Sequence, residues 1–405
     1  MMNSFRNYIP RHQLENILSS LPFTSYSMVR LILLIIIFLA SLLVVFKAPT
    51  YHLWLLAIMV TEYSVIFIAI TILLLLTGWW AGKYQIAGTL IGIAALYFFT
   101  WPIISAYRIG KSLPADMAKA LDMCGSLPNE SLIKRSPFTL SNLFKGADVQ
   151  PYKTFTYANC QDTNLTLDYY AAPTKGKRPC VVVIHGGSWS SGDSKQLPEL
   201  NTYLARAGYQ VASINYRLAP RWKSPAPVQD VAEALNYLHR HADELKIDTS
   251  QFVLLGRSAG AQVALLAAYT LPNRGIKAVI DFYGPADMVW GYSVPASKLV
   301  MDSRRVMANY LGGYYPQVPH NYAASSPIAF VNRQSVPALI IHGGNDVLVA
   351  YEHSSRLDNK LQQNAIPHYW LRLPWATHGF DYHLNGPGGQ LSTYAVHRFL
   401  QAVVN

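Results

Sequence analysis

Cysteine is scarce in this 405-residue chain, which holds only Cys124, Cys160 and Cys180. Three cannot all pair within one chain, and Cys180 sits in an apolar run of strand type, so a disulfide framework is excluded. Their spacing does not suggest a metal site either, and no metal or organic cofactor is expected. Charge is also thin: 14% of residues are charged, and the formal balance is +11. No basic run and no interleaving of basic with aromatic residues points to nucleic acid. The positive surplus instead suits an anionic lipid surface. Internal repeats and low-complexity tracts are missing, which excludes solenoids and long disordered linkers. What remains is 51% hydrophobic, enough for one membrane module and one large folded domain.

The lack of charge is concentrated near the start. Residues 31–46 carry none, residues 53–80 carry only Glu62, and residues 86–106 carry none. Spanning a bilayer core takes about 20 apolar residues, so residues 1–106 predict an all-α membrane region of about three transmembrane helices. Trp54, Trp79, Trp80, Trp101 and Tyr107 fall near the ends of these runs, as interfacial aromatics do. A cleaved signal peptide is the rival reading of the first run, and the long leading segment and the two further apolar runs disfavour it. A lone carboxylate in a span is costly, and Glu62 is expected to reach the interface or a neighbouring helix rather than to act chemically. Basic residues divide evenly, with Arg6, Arg11, Arg30 and Lys83 against Lys47, Arg108, Lys111 and Lys119, so the positive-inside rule does not fix orientation. With the first helix dominant, the protein is multi-pass, its amino terminus is cytoplasmic, and the remainder lies on the extracytoplasmic side. Residues 107–150 read as a polar connector. Asn129-Glu130-Ser131 and Asn164-Leu165-Thr166 fit the glycosylation pattern.

Beyond the connector, residues 151–405 alternate strand and helix signals. Residues 153–157 and 165–171 suggest an opening antiparallel pair, followed by strands near 180–184, 210–215, 251–255, 278–283, 337–341 and 368–373. Helical stretches lie between or after them, notably 227–245 and 390–403. This order predicts an α/β domain with a mostly parallel sheet and helices on both faces. Residues 286–336 are too many for an ordinary connection, and they contain a helix-like stretch at 298–311. They predict a small cap over a site.

The chemistry gathers at the strand ends. Gly256-Arg257-Ser258-Ala259-Gly260 joins a strand to a helix, and such a turn lifts a serine hydroxyl clear of the sheet. Its glycines answer the need of a strained turn for close backbone approach. Upstream, residues 179–184 run into His185-Gly186-Gly187-Ser188-Trp189. Glycine N–H groups can bind the oxyanion of acyl transfer, so Gly186 and Gly187 are candidates together with the N–H of Ala259. His185 is expected to bond the loop backbone, not to act in catalysis. A serine nucleophile needs a base and an orienting acid. Residues 337–341 end in His342-Gly343-Gly344-Asn345-Asp346, and residues 368–373 lead to His378. Asp381 is a rival acid, but its place on the same short loop as His378 suits it poorly. The order Ser258, Asp346, His378 is that of an α/β-hydrolase triad.

The region from about 152 to 405 resembles α/β-hydrolases of the esterase/lipase group, including hormone-sensitive-lipase-like esterases. The resemblance rests on His185-Gly186-Gly187-Ser188-Trp189, Asn215-Tyr216-Arg217-Leu218-Ala219-Pro220, Gly256-Arg257-Ser258-Ala259-Gly260, and the Asp346 and His378 loops. Ser188 stands where hormone-sensitive-lipase-like enzymes usually carry a third glycine. His-Gly-Gly-x-Trp with Ser-Ala-Gly-Ala is closer to kynurenine formamidases, isoprenylcysteine methylesterases and the acetylxylan and feruloyl esterase-like group. The resemblance implies a serine hydrolase that forms an acyl-enzyme.

The sequence thus predicts a membrane-anchored serine carboxylic-ester hydrolase with Ser258, Asp346 and His378 as its triad, acting on a small-molecule or lipid ester at a bilayer. Hydrolysis of an amide or formamide, acyl transfer to an alcohol, and a non-catalytic ligand-binding scaffold are the alternatives. The sheet is expected to have its own core, so that a chain beginning near Lys145 would remain soluble and active on an acetate ester.

Overall fold

The computed structural model describes residues 11–80, 82–124, 136–160, 163–272 and 274–404. Arg6 and the Asn129-Glu130-Ser131 sequence lie outside the described residues. Eight strands form one sheet: β1 (Lys153–Cys160), β2 (Thr163–Tyr170), β3 (Arg178–Ile184), β4 (Gln210–Ile214), β5 (Ile247–Arg257), β6 (Ile276–Phe282), β7 (Ala338–Gly343) and β8 (His368–Leu373). Their order is β1-β2-β4-β3-β5-β6-β7-β8. β1 with β2 and β2 with β4 are antiparallel, and every other pairing is parallel. Central strands such as β3, with Cys180-Val181-Val182-Val183-Ile184 buried throughout, are apolar on both sides because helices cover both faces.

Among the described residues, twelve α-helices accompany the sheet. α1 (Arg11–Ser41), α2 (Tyr51–Glu62), α3 (Ser64–Leu76) and α4 (Gln85–Leu121) precede it. α5 (Pro198–Arg206), α6 (Ala226–Arg240), α7 (Ala259–Thr270), α8 (Met288–Ser293), α9 (Ser303–Leu311), α10 (Pro319–Ala324), α11 (Glu352–Gln363) and α12 (Pro387–Val403) follow in turn. Alternation along each strand divides the core in two. Val182 and Leu254 pack with α6, α7 and α11, whereas Val181, Val183 and Leu255 pack with α5 and α12. The first core lies wholly within residues 151–405. The second continues into the amino-terminal helices through Trp54, Ala57 and Ile58 of α2 and Leu113, Met117 and Leu121 of α4. Residues 107–121, read from sequence as connector, are therefore the second half of α4, and they lie under the sheet domain.

Two helical stretches, Tyr26–Val44 and Gly82–Leu121, are long and apolar enough to cross a membrane. The second apolar run is not one straight helix. α2 and α3 meet at Tyr63 with a bend of 83°, and the pair makes a third candidate span. Glu62, the last residue of α2, stands at the bend. Its Oε2 accepts the N–H of Gly388 at 2.9 Å, in the first turn of α12, where unpaired N–H groups and the helix dipole favour an acceptor. A Cβ at Gly386 would lie 2.4 Å from the same oxygen, so a side chain there would displace the Glu62 carboxylate. Tyr63 then stacks on His383, with centroids 4.2 Å apart. The expectation that Glu62 reaches a neighbouring helix holds, but that helix belongs to the sheet domain.

α1, α3 and α4 pack side by side. Arg30 donates from Nε to Leu74 O at 2.8 Å, near the carboxyl end of α3, and its guanidinium fills the space over Gly78 and Gly88. Further along, Phe38 meets Phe98 and Phe67 meets Phe99. At the other end, Val44 O accepts from Asn345 Nδ2 at 3.0 Å. The beginning of α1 and the sheet domain thus sit at opposite ends of the bundle, and α2 turns aside to lie against the sheet domain.

Candidate active site

The nucleophile turn follows from local sterics. Ser258 has φ 53° and ψ −120°, a strained conformation for a residue with a side chain. A Cβ at Gly256 would come within 2.3 Å of Gly260 O, and one at Gly260 within 2.2 Å of Ile184 O. Only glycine fits either position. The structure brings the three expected side chains together from the ends of β5, β7 and β8. His378 Nε2 lies 2.9 Å from Ser258 Oγ, and His378 Nδ1 lies 2.7 Å from Asp346 Oδ2. The carboxylate fixes the proton on Nδ1 and leaves Nε2 free to accept the serine proton.

Asp346 is fully buried, and burial alone would push its carboxyl up. Together the His378 charge and the hydrogen bonds from His342 and His378 outweigh this, so the carboxyl stays well below the usual range. Its other oxygen accepts the N–H groups of Leu348 and Val349 at 2.8 and 2.9 Å. His342 was not singled out by the sequence reading. Its Nε2 faces two acceptors, Asp346 Oδ2 at 3.1 Å and Val349 O at 3.2 Å, so Nε2 carries the proton and Nδ1 accepts from Ser354 Oγ at 2.7 Å. One signal could have revealed it: β7, like β3, runs into His-Gly-Gly.

Asp381 has other partners. It pairs with Arg257 Nε at 2.5 Å and accepts from the Tyr283 hydroxyl, which ties the residue before Ser258 to the histidine loop. His185 Nδ1 donates to Gly186 O at 2.7 Å, its ring stacks on Tyr216, and burial lowers its pKa. The Tyr216 hydroxyl donates to His185 O at 3.1 Å, and Arg217 is held by buried Asp230 at 2.8 Å. These residues of the second motif hold the glycine loop in place.

The expected oxyanion donors divide. Gly187 and Ala259 have N–H groups without a partner among the described residues, whereas the N–H of Gly186 is already given to Gln196 Oε1 at 2.8 Å. Gly186 serves close approach instead, since a Cβ there would lie 3.5 Å from Ser258 Cβ and 3.2 Å from Arg257 O.

Two hollows meet at Ser258. The inner one is lined by Ala259, Met288, Gly291, Met301 and Met307, with His353 among them. His353 is buried, and burial pushes its pKa down to about 3, so it is neutral; its Nδ1 accepts from Asp287 N at 3.3 Å. The outer hollow is lined by Trp54, Gln196, Leu197, Tyr283, His378 and Tyr382. Residues of the 286–336 segment, including Val294, Ala296 and Met301, close the inner hollow from above. Among the described residues no group of His, Cys, Asp and Glu could hold a metal ion.

Comparison with known proteins places the sheet domain among esterases. Residues 167–361 match the BD-FAE family, a match that ends before His378. The chain is 28% identical over 256 residues to the probable carboxylic ester hydrolase LipM of Mycobacterium tuberculosis, covering 58% of each protein. It is 29% identical over 245 residues to Esterase LipC of the same organism, covering 57% of this chain and 60% of that one. The chain therefore spans less than two thirds of the length of these relatives. Among solved structures, an arylesterase shares the fold, with TM-score 0.55 and 18% identity over 64% of this chain and 87% of that one.

Proposed function

We propose that this chain, whose sheet domain is an α/β-hydrolase of the esterase type, is a membrane-anchored serine hydrolase of carboxylic esters. The observation that carries the reading is the unbroken line from Asp346 through His378 to Ser258, set at the meeting of two hollows. Ser258 Oγ attacks the ester carbonyl while His378 Nε2 takes its proton. Asp346 keeps the ring in the required tautomer and stabilises its charged form, and His342 in turn holds Asp346. The N–H groups of Gly187 and Ala259 receive the oxyanion; Gly186 joins them only if Gln196 releases it. His378 then gives its proton to the departing alcohol. Water, activated by the same ring, frees the acyl group from Ser258.

The names of the similar proteins support an ester as the bond cleaved. The apolar helices support anchoring in a bilayer, with Tyr26–Val44 and Gly82–Leu121 as the spans and the bent α2–α3 pair as a third candidate. The test is labelling of the full chain with a fluorophosphonate probe. Ser258 is expected to be the one serine labelled, and Ser258→Ala to abolish both labelling and hydrolysis of short esters. Labelling that persists in Ser258→Ala removes the reading.

A further inference from the structure

The general acid of the acylation step must reach the leaving oxygen, so the alcohol part of an ester lies on the side of the nucleophile where His378 stands. Of the two hollows at Ser258, His378 lines only the outer one. The outer hollow therefore receives the alcohol and the inner one the acyl group, an assignment that rests on the triad reading above.

One wall of the outer hollow comes from outside the sheet domain. Trp54 is in α2, in the apolar amino-terminal region, yet it lines this hollow and is 8% exposed. Its Nε1 donates to the backbone oxygen of His378 at 3.0 Å, and the two rings lie 6.4 Å apart. The same region grips the other parts of the site. Val44 O accepts from Asn345, the neighbour of Asp346, and Tyr51 N donates to Leu299 O of the cap segment at 3.0 Å. Ile58 packs 3.5 Å from where a Cβ of Gly379 would be.

We propose that α2 is part of the active site. Trp54 is a positioning residue for His378 and a determinant of alcohol specificity, so the membrane module completes the hydrolase rather than merely tethering it. The bond to a backbone carbonyl fixes the loop at the residue whose ring must meet both Asp346 and Ser258. The indole face meanwhile bounds the space in which the alcohol sits.

The test uses the full chain in lipid nanodiscs, with rates expressed per site titrated by a fluorophosphonate, so that loss of folded protein does not register as loss of catalysis. Trp54→Phe keeps a ring and removes the donor. Its kcat per titrated site on methyl acetate is expected to fall about three- to tenfold at nearly unchanged KM, the worth of one hydrogen bond. Trp54→Ala also opens the wall, and the ratio of kcat/KM for benzyl acetate to that for methyl acetate is expected to fall about tenfold, as apolar contact with the alcohol is lost. A set of acyl-varied methyl esters should keep its wild-type ranking in both variants. Wild-type rates per site in Trp54→Phe with a wild-type benzyl-to-methyl ratio in Trp54→Ala overturn the proposal. A wild-type chain that neither labels nor hydrolyses any ester removes the triad reading itself.

Discussion

Asp346 and Asp381 sit near the same histidine and do different work. Asp346→Asn presents the wrong partner to His378 Nδ1, and kcat per titrated site is expected to fall by about 10³- to 10⁴-fold. Asp381→Asn leaves the buried Arg257 guanidinium without its counter-charge, a loss of about 3–5 kcal/mol, so thermal unfolding should report it far more than the rate per titrated site. A third carboxyl, Asp281, accepts the Gly284 N–H at 2.7 Å, and its other oxygen has no partner among the described residues. Burial pushes it up to about 7. Between the ordinary carboxylate pKa and that value the folded state holds a proton that the unfolded state has lost, so this group makes stability fall as pH rises through the interval. Asp281→Asn is therefore expected to raise the melting temperature near pH 8 and to change it little near pH 3, where both states are mostly protonated. An equal gain at both pH values would rule out this account. The sequence disclosed Ser258, Asp346 and His378 because each follows a strand end within a recognisable turn. It concealed Trp54, whose partner lies 324 positions away, because an apolar run suggests lipid before it suggests a protein neighbour.

At the scale of elements, the alternation of strands and helices was legible because buried runs of Val, Ile and Leu are short and bounded. The break at Tyr63 was not. Residues 53–80 contain no proline, and no glycine before Gly78, so nothing in their pattern marks a turn. At the break, Glu62 meets the first turn of α12, a contact made only on folding. Glu62→Ala should cost about 1–2 kcal/mol, the worth of the Gly388 bond and its packing, as a lower melting temperature. If α2 belongs to the site, the same substitution should also lower kcat per titrated site. A melting temperature equal to wild type would show that Glu62 does not hold the two elements together.

For the whole molecule, the division of the core matters more than the division of the sequence. The face with α6, α7 and α11 is complete within residues 151–405, but the face with α5 and α12 shares its packing with α2 and α4. A chain beginning at Lys145 bares that second face and loses Trp54. It is expected to aggregate, or to fold with a much reduced rate on acetate esters, contrary to the independence suggested by the sequence. Monodisperse protein with a wild-type rate per titrated site would restore that independence.

α4 carries a last consequence. It runs as one helix for 37 residues, with Pro102 and Pro114 inside it, from the far end of the bundle to the underside of the sheet domain, about 55 Å. A hydrolase on a slack tether can lean outward and sample a thick shell of solution. One mounted on a rod that is also packed into its core has a fixed height and a fixed tilt above the lipid. Under the anchoring proposed above, its reach is a plane, and it would encounter esters by lateral diffusion in its own bilayer. Mixing vesicles that carry the enzyme with vesicles that carry a non-exchanging lipid ester should yield little product, whereas placing both in one vesicle should restore turnover.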